Sequence, residues 1–165
     1  YTVTAVGKIS DLFAGRGISA SVATVDNHDG MEKVVAGLAT QDTGLLMANL
    51  VDFDMVYGHR NDALGFGRAL EEFDAWLPQL FKVMRTDDLL VICADHGCDP
   101  TTPGSDHTRE YVPVLLWSKA MKRGRALGNR QSFSDVAATL ADFFRVPAHQ
   151  RAVVRVVDAH VLDAR

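Results

Sequence analysis

LLMANLVDFDMVYGH, residues 45–59, starts as an apolar run and leaves that run through two side chains of metal-ligating type, Asp54 and His59. Residues 45–51 are short, aliphatic and bounded by turn residues, the signature of a buried strand. Buried carboxylates and imidazoles are costly without a partner or a metal, so their place just past a strand end is informative.

Four more runs of this kind lie at residues 3–6, 21–25, 89–94 and 112–117. Helical patterns fill the gaps. Residues 29–38 (DGMEKVVAGL) open with acidic, capping-type residues. Residues 62–84 carry Leu64, Leu70, Phe73, Leu77, Leu80, Phe81 and Met84 at helical spacing, and Pro78 within them predicts a kink or a fresh first turn. Residues 134–144 start with Ser134 as a cap and Asp135 as a first-turn acid. Strands alternating with helices predict an α/β fold: three layers, with a mainly parallel sheet covered by helices on both faces. Such sheets bind ligands at the carboxyl ends of their strands. Asp54 follows one run there, and Asp95 and His96 follow LLVICA. The polar segment 97–110 (GCDPTTPGSDHTRE) is a long loop of the kind that carries function on a rigid scaffold, and it holds His107.

Composition narrows the field. A chain of 165 residues suffices for one domain, which at that length buries about 70% of its unfolded surface. Its net charge of −4 and lack of any basic stripe argue against nucleic acid as a partner. No run approaches the ~18 apolar residues of a membrane span, and no signal-peptide pattern opens the chain. Cys93 and Cys98, five apart with no second pair, do not form a zinc knuckle; they read as a core thiol and a loop thiol in a reducing compartment, the cytoplasm. Residue 1 is Tyr and stands directly before a strand-like run, which predicts a piece of a longer protein.

Asp54 and His59 are separated by a segment containing Gly58, so a turn brings both side chains back to one point, and His107 completes a three-ligand site with an open position. Asp95 and His96 supply half of a second site if the backbone bends at Gly97. Two-metal sites of this kind clamp the attacking and leaving oxygens of a phosphoryl group. The plainer reading takes each strand-end Asp as a turn former and each His as incidental; five such residues grouped at strand exits favour the metal. Asp and His together suit manganese or zinc better than calcium. His28 and Asp29 read as a helix cap, and His149 and His160 have no carboxylate close in sequence. Arg60 and Arg109 flank ligand segments with phosphate-binding geometry, which surface ion pairs use equally often. Lys8, after the first strand, faces an anion at the rim or is solvated.

NLVDFDMVYGHRND, ALEEFDAWLPQLFKVMRTDDLL, ADHGCDPTTPGSDHTREYVPVL and the opening GKISDLF resemble the bacterial phosphopentomutases, a family of the alkaline phosphatase superfamily. ADHG alone points only to the superfamily. The pairing of DFD-x4-H with SDHTREYVP separates this reading from cofactor-independent phosphoglycerate mutase. The resemblance implies an alkaline-phosphatase-like core, present in part: residues 1–147 as the C-terminal part of the phosphomutase core, and 148–165 (RAVVRVVDAHVLDAR at its end) as a divergent tail. It implies an isomerase of nucleoside catabolism that interconverts ribose 1-phosphate and ribose 5-phosphate, and their deoxyribose counterparts. Two divalent cations are implied, manganese first, with zinc or magnesium as alternatives. Asp54, His59 and His107 would hold one, Asp95 and His96 the other, and Lys8 would lie near the substrate phosphate. The family's phosphorylated threonine, a further metal-binding aspartate and the cap domain have no match here, so the missing N-terminal part is an implied partner and the chain alone is expected to be inactive. The rival readings are a phosphatase or phosphoglycerate mutase of the same superfamily, and a non-catalytic chain stapled by metal.

Overall fold

Val3–Val6 (VTAV) forms the first strand, β1, and buries Ala5 and Val6 almost completely, at 0% and 1% exposed. It is the middle strand of a sheet because both neighbours are themselves aliphatic runs that pair with it in parallel: β2 (Ala20–Val22) on one side and β3 (Leu45–Ala48) on the other. The computed structural model describes residues 1–147, which fall into two compact units. The first unit is Tyr1–Met84 with His96–Tyr111; the second is Arg85–Asp95 with the described part of Val112–Arg165. The expected tail, 148–165, lies outside the described residues.

In the first unit the register runs Val3↔Leu45 to Val6↔Ala48 on one side and Thr4↔Ala20 to Val6↔Val22 on the other. Parallel neighbours need crossovers. The chain supplies them with the short α1 (Ile9–Leu12) and with α2 (Asn27–Thr40), which packs on β1, β3 and α3 (Ala63–Val83). Ile9, Met31, Ala69, Leu80 and Met84 are buried with β1. This is the α/β arrangement that the alternating runs predict. β2 stops at Val22, short of the expected 21–25, because the backbone turns to cap α2: the Asp26 carboxylate accepts the Asp29 amide (2.8 Å), and the Asp29 carboxylate accepts the Val25 amide (2.9 Å). The cap is therefore Asp26, not the His28–Asp29 pair; Asp29 sits in the first turn and reaches back, a reciprocal arrangement akin to a capping box.

Asp62 caps α3 by accepting the Gly65 amide at 2.9 Å. The helix runs unbroken through Pro78, so no fresh first turn begins there. Proline removes one backbone donor, and the apolar face on both sides of it keeps the helix together.

The second unit contains β4 (Leu90–Cys93) and β5 (Val114–Trp117), paired antiparallel from Leu90↔Trp117 to Cys93↔Val114, and α4 (Ser134–Phe143). The parallel character therefore belongs to the first three strands; apolar runs alone do not encode strand direction. Ser134 is not a cap: Phe133 holds that position, and the Ser134 amide donates to Ser132 Oγ (3.1 Å). Asp135 is the first-turn acid expected; it is buried and accepts from Arg130 Nε at 2.6 Å. Cys93 is exposed, not the core thiol expected, because it closes a two-stranded ribbon.

Val6→Ala removes two methyl groups from the middle of the first unit and is expected to destabilise by about 2 kcal/mol. The measurement is a urea melt, with a lower midpoint at an unchanged slope.

Candidate metal centre

A π-helical turn, Phe53–Gly58, follows β3 and was not foreseen from the sequence. The His59 amide donates to the Asp54 carbonyl at 2.9 Å, an i to i+5 bond that closes the turn. Residues five apart then lie roughly one turn apart on the same side. The D-x4-H spacing has this backbone cause, and His59 Nε2 comes to 3.3 Å from Asp54 Oδ2. Helices that carry an extra residue in one turn often do so at functional sites.

The loop 97–110 brings the remaining groups. Gly97 and Thr108 form an isolated antiparallel bridge, with the Thr108 amide donating to the Gly97 carbonyl at 3.1 Å. A Cβ on Gly97 would lie 2.6 Å from the Thr108 oxygen. The backbone bends at Asp95 and His96, just before Gly97, and glycine is needed at 97 for this close approach rather than for a positive φ. The bridge places His107 beside the first unit's other ligand-type groups. His107 Nε2 lies 3.3 Å from Asp54 Oδ1, and the His96 and His107 rings stack with centroids 3.6 Å apart. His59 and His107 stack more loosely, at 4.9 Å. Among the described residues, Asp54, His96 and His107 each offer a ligand atom within 4.8 Å of the others.

Four of the five expected ligands thus meet in one unit: Asp54, His59, His96 and His107. Asp95 ends the segment Arg85–Asp95 of the second unit, next in sequence to His96. The division implied by the resemblance puts His96 with Asp95; the first unit's geometry also sets His96 beside Asp54 and His107. Lys8 caps α1 and is exposed, and its Nζ lies 2.9 Å from Met55 Sδ in the π-helical turn. Its amide donates to Asn49 Oδ1 at 2.8 Å. Arg60 and Arg109 are exposed. His28 is exposed near Glu32, and His149 and His160 lie outside the described residues.

Ring orientation decides what the nitrogens can do. His59 Nδ1 lies 2.5 Å from the Ser105 carbonyl, and His96 Nδ1 lies 3.1 Å from the Gly97 carbonyl. A carbonyl only accepts, so both Nδ1 atoms carry the hydrogen of that bond. Each ring then turns Nε2 outward, the arrangement typical of metal-binding histidines. His59 Nε2 and Asp54 Oδ2 are a lone-pair donor and a carboxylate oxygen that need a cation, proton or metal, between them. The donor set fits a divalent metal.

Two residues missed by sequence reasoning hold the loop. Asn61, in the left-handed region at φ 53°, donates its side-chain amide to the Thr102 carbonyl (2.8 Å) and the Pro100 carbonyl (3.3 Å). Asparagine is one of the few residues that tolerate that conformation, which is the signal a reader could have used. Asp99 accepts from the Thr101 hydroxyl (2.7 Å), the Thr101 amide (2.8 Å) and the Thr102 hydroxyl (2.9 Å). The Thr101 hydroxyl leads the causes that hold the Asp99 carboxyl below the usual range. Burial, then the Asp54 carboxylate, pushes the Cys98 thiol up.

A sequence profile described as the metalloenzyme superfamily matches residues 5–148. The chain belongs to the metalloenzyme superfamily. It is 64% identical over 143 residues to a phosphopentomutase of Syntrophotalea carbinolica, covering 87% of this chain and 36% of that protein. Identity is 55% over 150 residues to a phosphopentomutase of Caldanaerobacter subterraneus, and 56% over 144 residues to one of Carboxydothermus hydrogenoformans. These matches cover 90% and 87% of this chain, and 38% and 37% of the two relatives. The chain spans a little over a third of the length of the curated relatives it matches. The resemblance drawn from DFD-x4-H and SDHTREYVP agrees with the names these relatives carry. No helix among the described residues is long and apolar enough to cross a membrane.

Because the folded Asp99 carboxyl titrates below its unfolded value, its bonds favour the ordered loop above the ordinary carboxylate range, near 3.9, and that contribution is lost as pH falls through the lower folded value. Amide shifts of Thr101 and Thr102 should therefore move on acidification, and Asp99→Asn should abolish that movement.

Proposed function

We propose that this chain is the C-terminal part of a phosphopentomutase core, serving in the whole protein to interconvert ribose 1-phosphate and ribose 5-phosphate, and their deoxyribose counterparts. The observation that carries the reading is the approach of His59 and His107 Nε2 to the two oxygens of one carboxylate, Asp54, in a chain that is 64% identical to a phosphopentomutase. Asp54, His59 and His107 hold one divalent cation, and Asp95 and His96 hold the other, with manganese the first candidate and zinc or magnesium the alternatives. Bound cations of this kind neutralise phosphate oxygens and lower the pKa of a hydroxyl nucleophile.

The chain's own residues do the positioning. Ser105 and Gly97 carbonyls fix the tautomers of His59 and His96, so that each ring would meet a cation without reorganising. Lys8 meets the phosphate of the sugar; its place beside Met55, one residue from Asp54, supports that role. The nucleophile is a threonine outside this chain, and residues 1–147 act together with an N-terminal part that supplies it. Sugar phosphates, not nucleic acid or membrane, are the ligands. The cytoplasm suits a protein whose Cys93 and Cys98 are free thiols.

Manganese should raise the melting temperature of this chain, by the linkage that gives about 2.7 kcal/mol at a hundredfold excess over Kd. Asp54→Asn and His107→Ala should each remove most of that rise. With manganese and ribose 1-phosphate, the chain alone should form no ribose 5-phosphate above background. Efficient turnover would put the nucleophile inside the chain and overturn the reading. A stabilisation by metal in this chain, with no isomerisation by the full-length protein, would leave only a structural role for the cation.

A further inference from the structure

We infer that Cys98 is a positioning residue for Asp54, its thiol orienting the carboxylate that the metal reading above makes a ligand; the inference rests on that reading. Cys98 Sγ lies 3.7 Å from Asp54 Oδ1, the same oxygen that His107 Nε2 approaches at 3.3 Å. The thiol is the donor of that contact, because an ionised carboxylate only accepts. Cys98 does not join the group of Asp54, His96 and His107, whose ligand atoms lie within 4.8 Å of one another. The contact it makes is with an oxygen of Asp54, which makes it a positioning residue.

The backbone is built to bring the sulfur there. A Cβ on Gly58 would collide with Cys98 Sγ and would lie 2.9 Å from the Phe53 carbonyl. The residue just before His59 must be glycine for the thiol to reach past the π-helical turn. Both neighbours of Cys98 are pinned as well: Gly97 by its bridge to Thr108, and Asp99 by its amide, which donates to Thr108 Oγ1 at 2.7 Å. A side chain held on both flanks, over a glycine, has little freedom to leave the carboxylate. Groups that hydrogen-bond a metal ligand commonly tune affinity through its orientation.

The test is manganese binding to the full 165-residue chain by calorimetry, with thermal melts in metal-free buffer to confirm folding. Cys98→Ala and Cys98→Val both lack the donor, and the second keeps the bulk. Each should weaken manganese about tenfold, the low end of the range for lost outer contacts, since a thiol is a weak donor. Cys98→Ser restores a donor and should recover most of the affinity. If the parent chain binds manganese and the two non-donating variants bind it equally well, the inference fails and the metal reading stands. Equal losses in all three variants would make the role one of shape and would also overturn it. A parent chain that binds no manganese would overturn the metal reading, and this inference with it.

Discussion

One backbone hydrogen bond, from the His59 amide to the Asp54 carbonyl, fixes the geometry on which everything at the rim depends. It widens the turn after β3 from the usual four-residue closure to five, so the side chains of its two end residues face each other. Without it, an ordinary helical turn would rotate His59 away from Asp54 by about 100° per residue of slip. The wide turn also exposes Gly58 to close approach from the loop, and Cys98 occupies that space. A single irregularity in the main chain thus aligns one imidazole and admits a thiol.

The second requirement is to order a long polar loop, whose backbone loses roughly 1–2 kcal/mol of conformational freedom per residue when fixed. No apolar core offsets that cost within 97–110; polar anchors do. The Gly97–Thr108 bridge closes the loop at its base, Asn61 grips the Pro100 and Thr102 carbonyls, and Asp99 gathers the Thr101 and Thr102 hydroxyls. The Ser105 carbonyl meets His59 Nδ1, so a further anchor of the loop is part of the candidate centre itself. Loop order and ring orientation are thereby coupled. Any change that frees Ser105 also frees the tautomer of His59.

The elements were legible because their runs are short, aliphatic and cleanly punctuated, and the observed β1 coincides with residues 3–6. Asp54 and His59 were legible as a pair because they leave one apolar run five residues apart, and His96 and His107 because they border and occupy one long polar loop. What the sequence hid were matters of direction and fine geometry. Strand polarity in β4 and β5 leaves no trace in hydrophobic pattern, since a buried run reads the same either way. The π-helical turn differs from an α turn by one residue of hydrogen-bond register, which no propensity distinguishes. In sequence His28 and Asp29 read as the cap; the bonds from the Asp29 amide to Asp26 and from the Val25 amide to Asp29 move it to Asp26. Gly97 was singled out for the bend that the backbone makes just before it; the close approach to the Thr108 oxygen, which any side chain would strike, had no signal in the sequence.

The charges at the centre carry the last step. A carboxylate in this position could have been satisfied by backbone amides or by arginine, as Asp135 is by Arg130. Asp54 is instead met by imidazole nitrogens on both oxygens, and one of those rings, His59, directs its Nδ1 hydrogen to a carbonyl. When neutral, such a ring brings a lone pair to an oxygen that also holds lone pairs. At 3.3 Å the two repel unless positive charge lies between them. A proton or a metal ion supplies that charge, and oxygen with imidazole nitrogen is the donor set of a transition-type divalent ion more than of calcium.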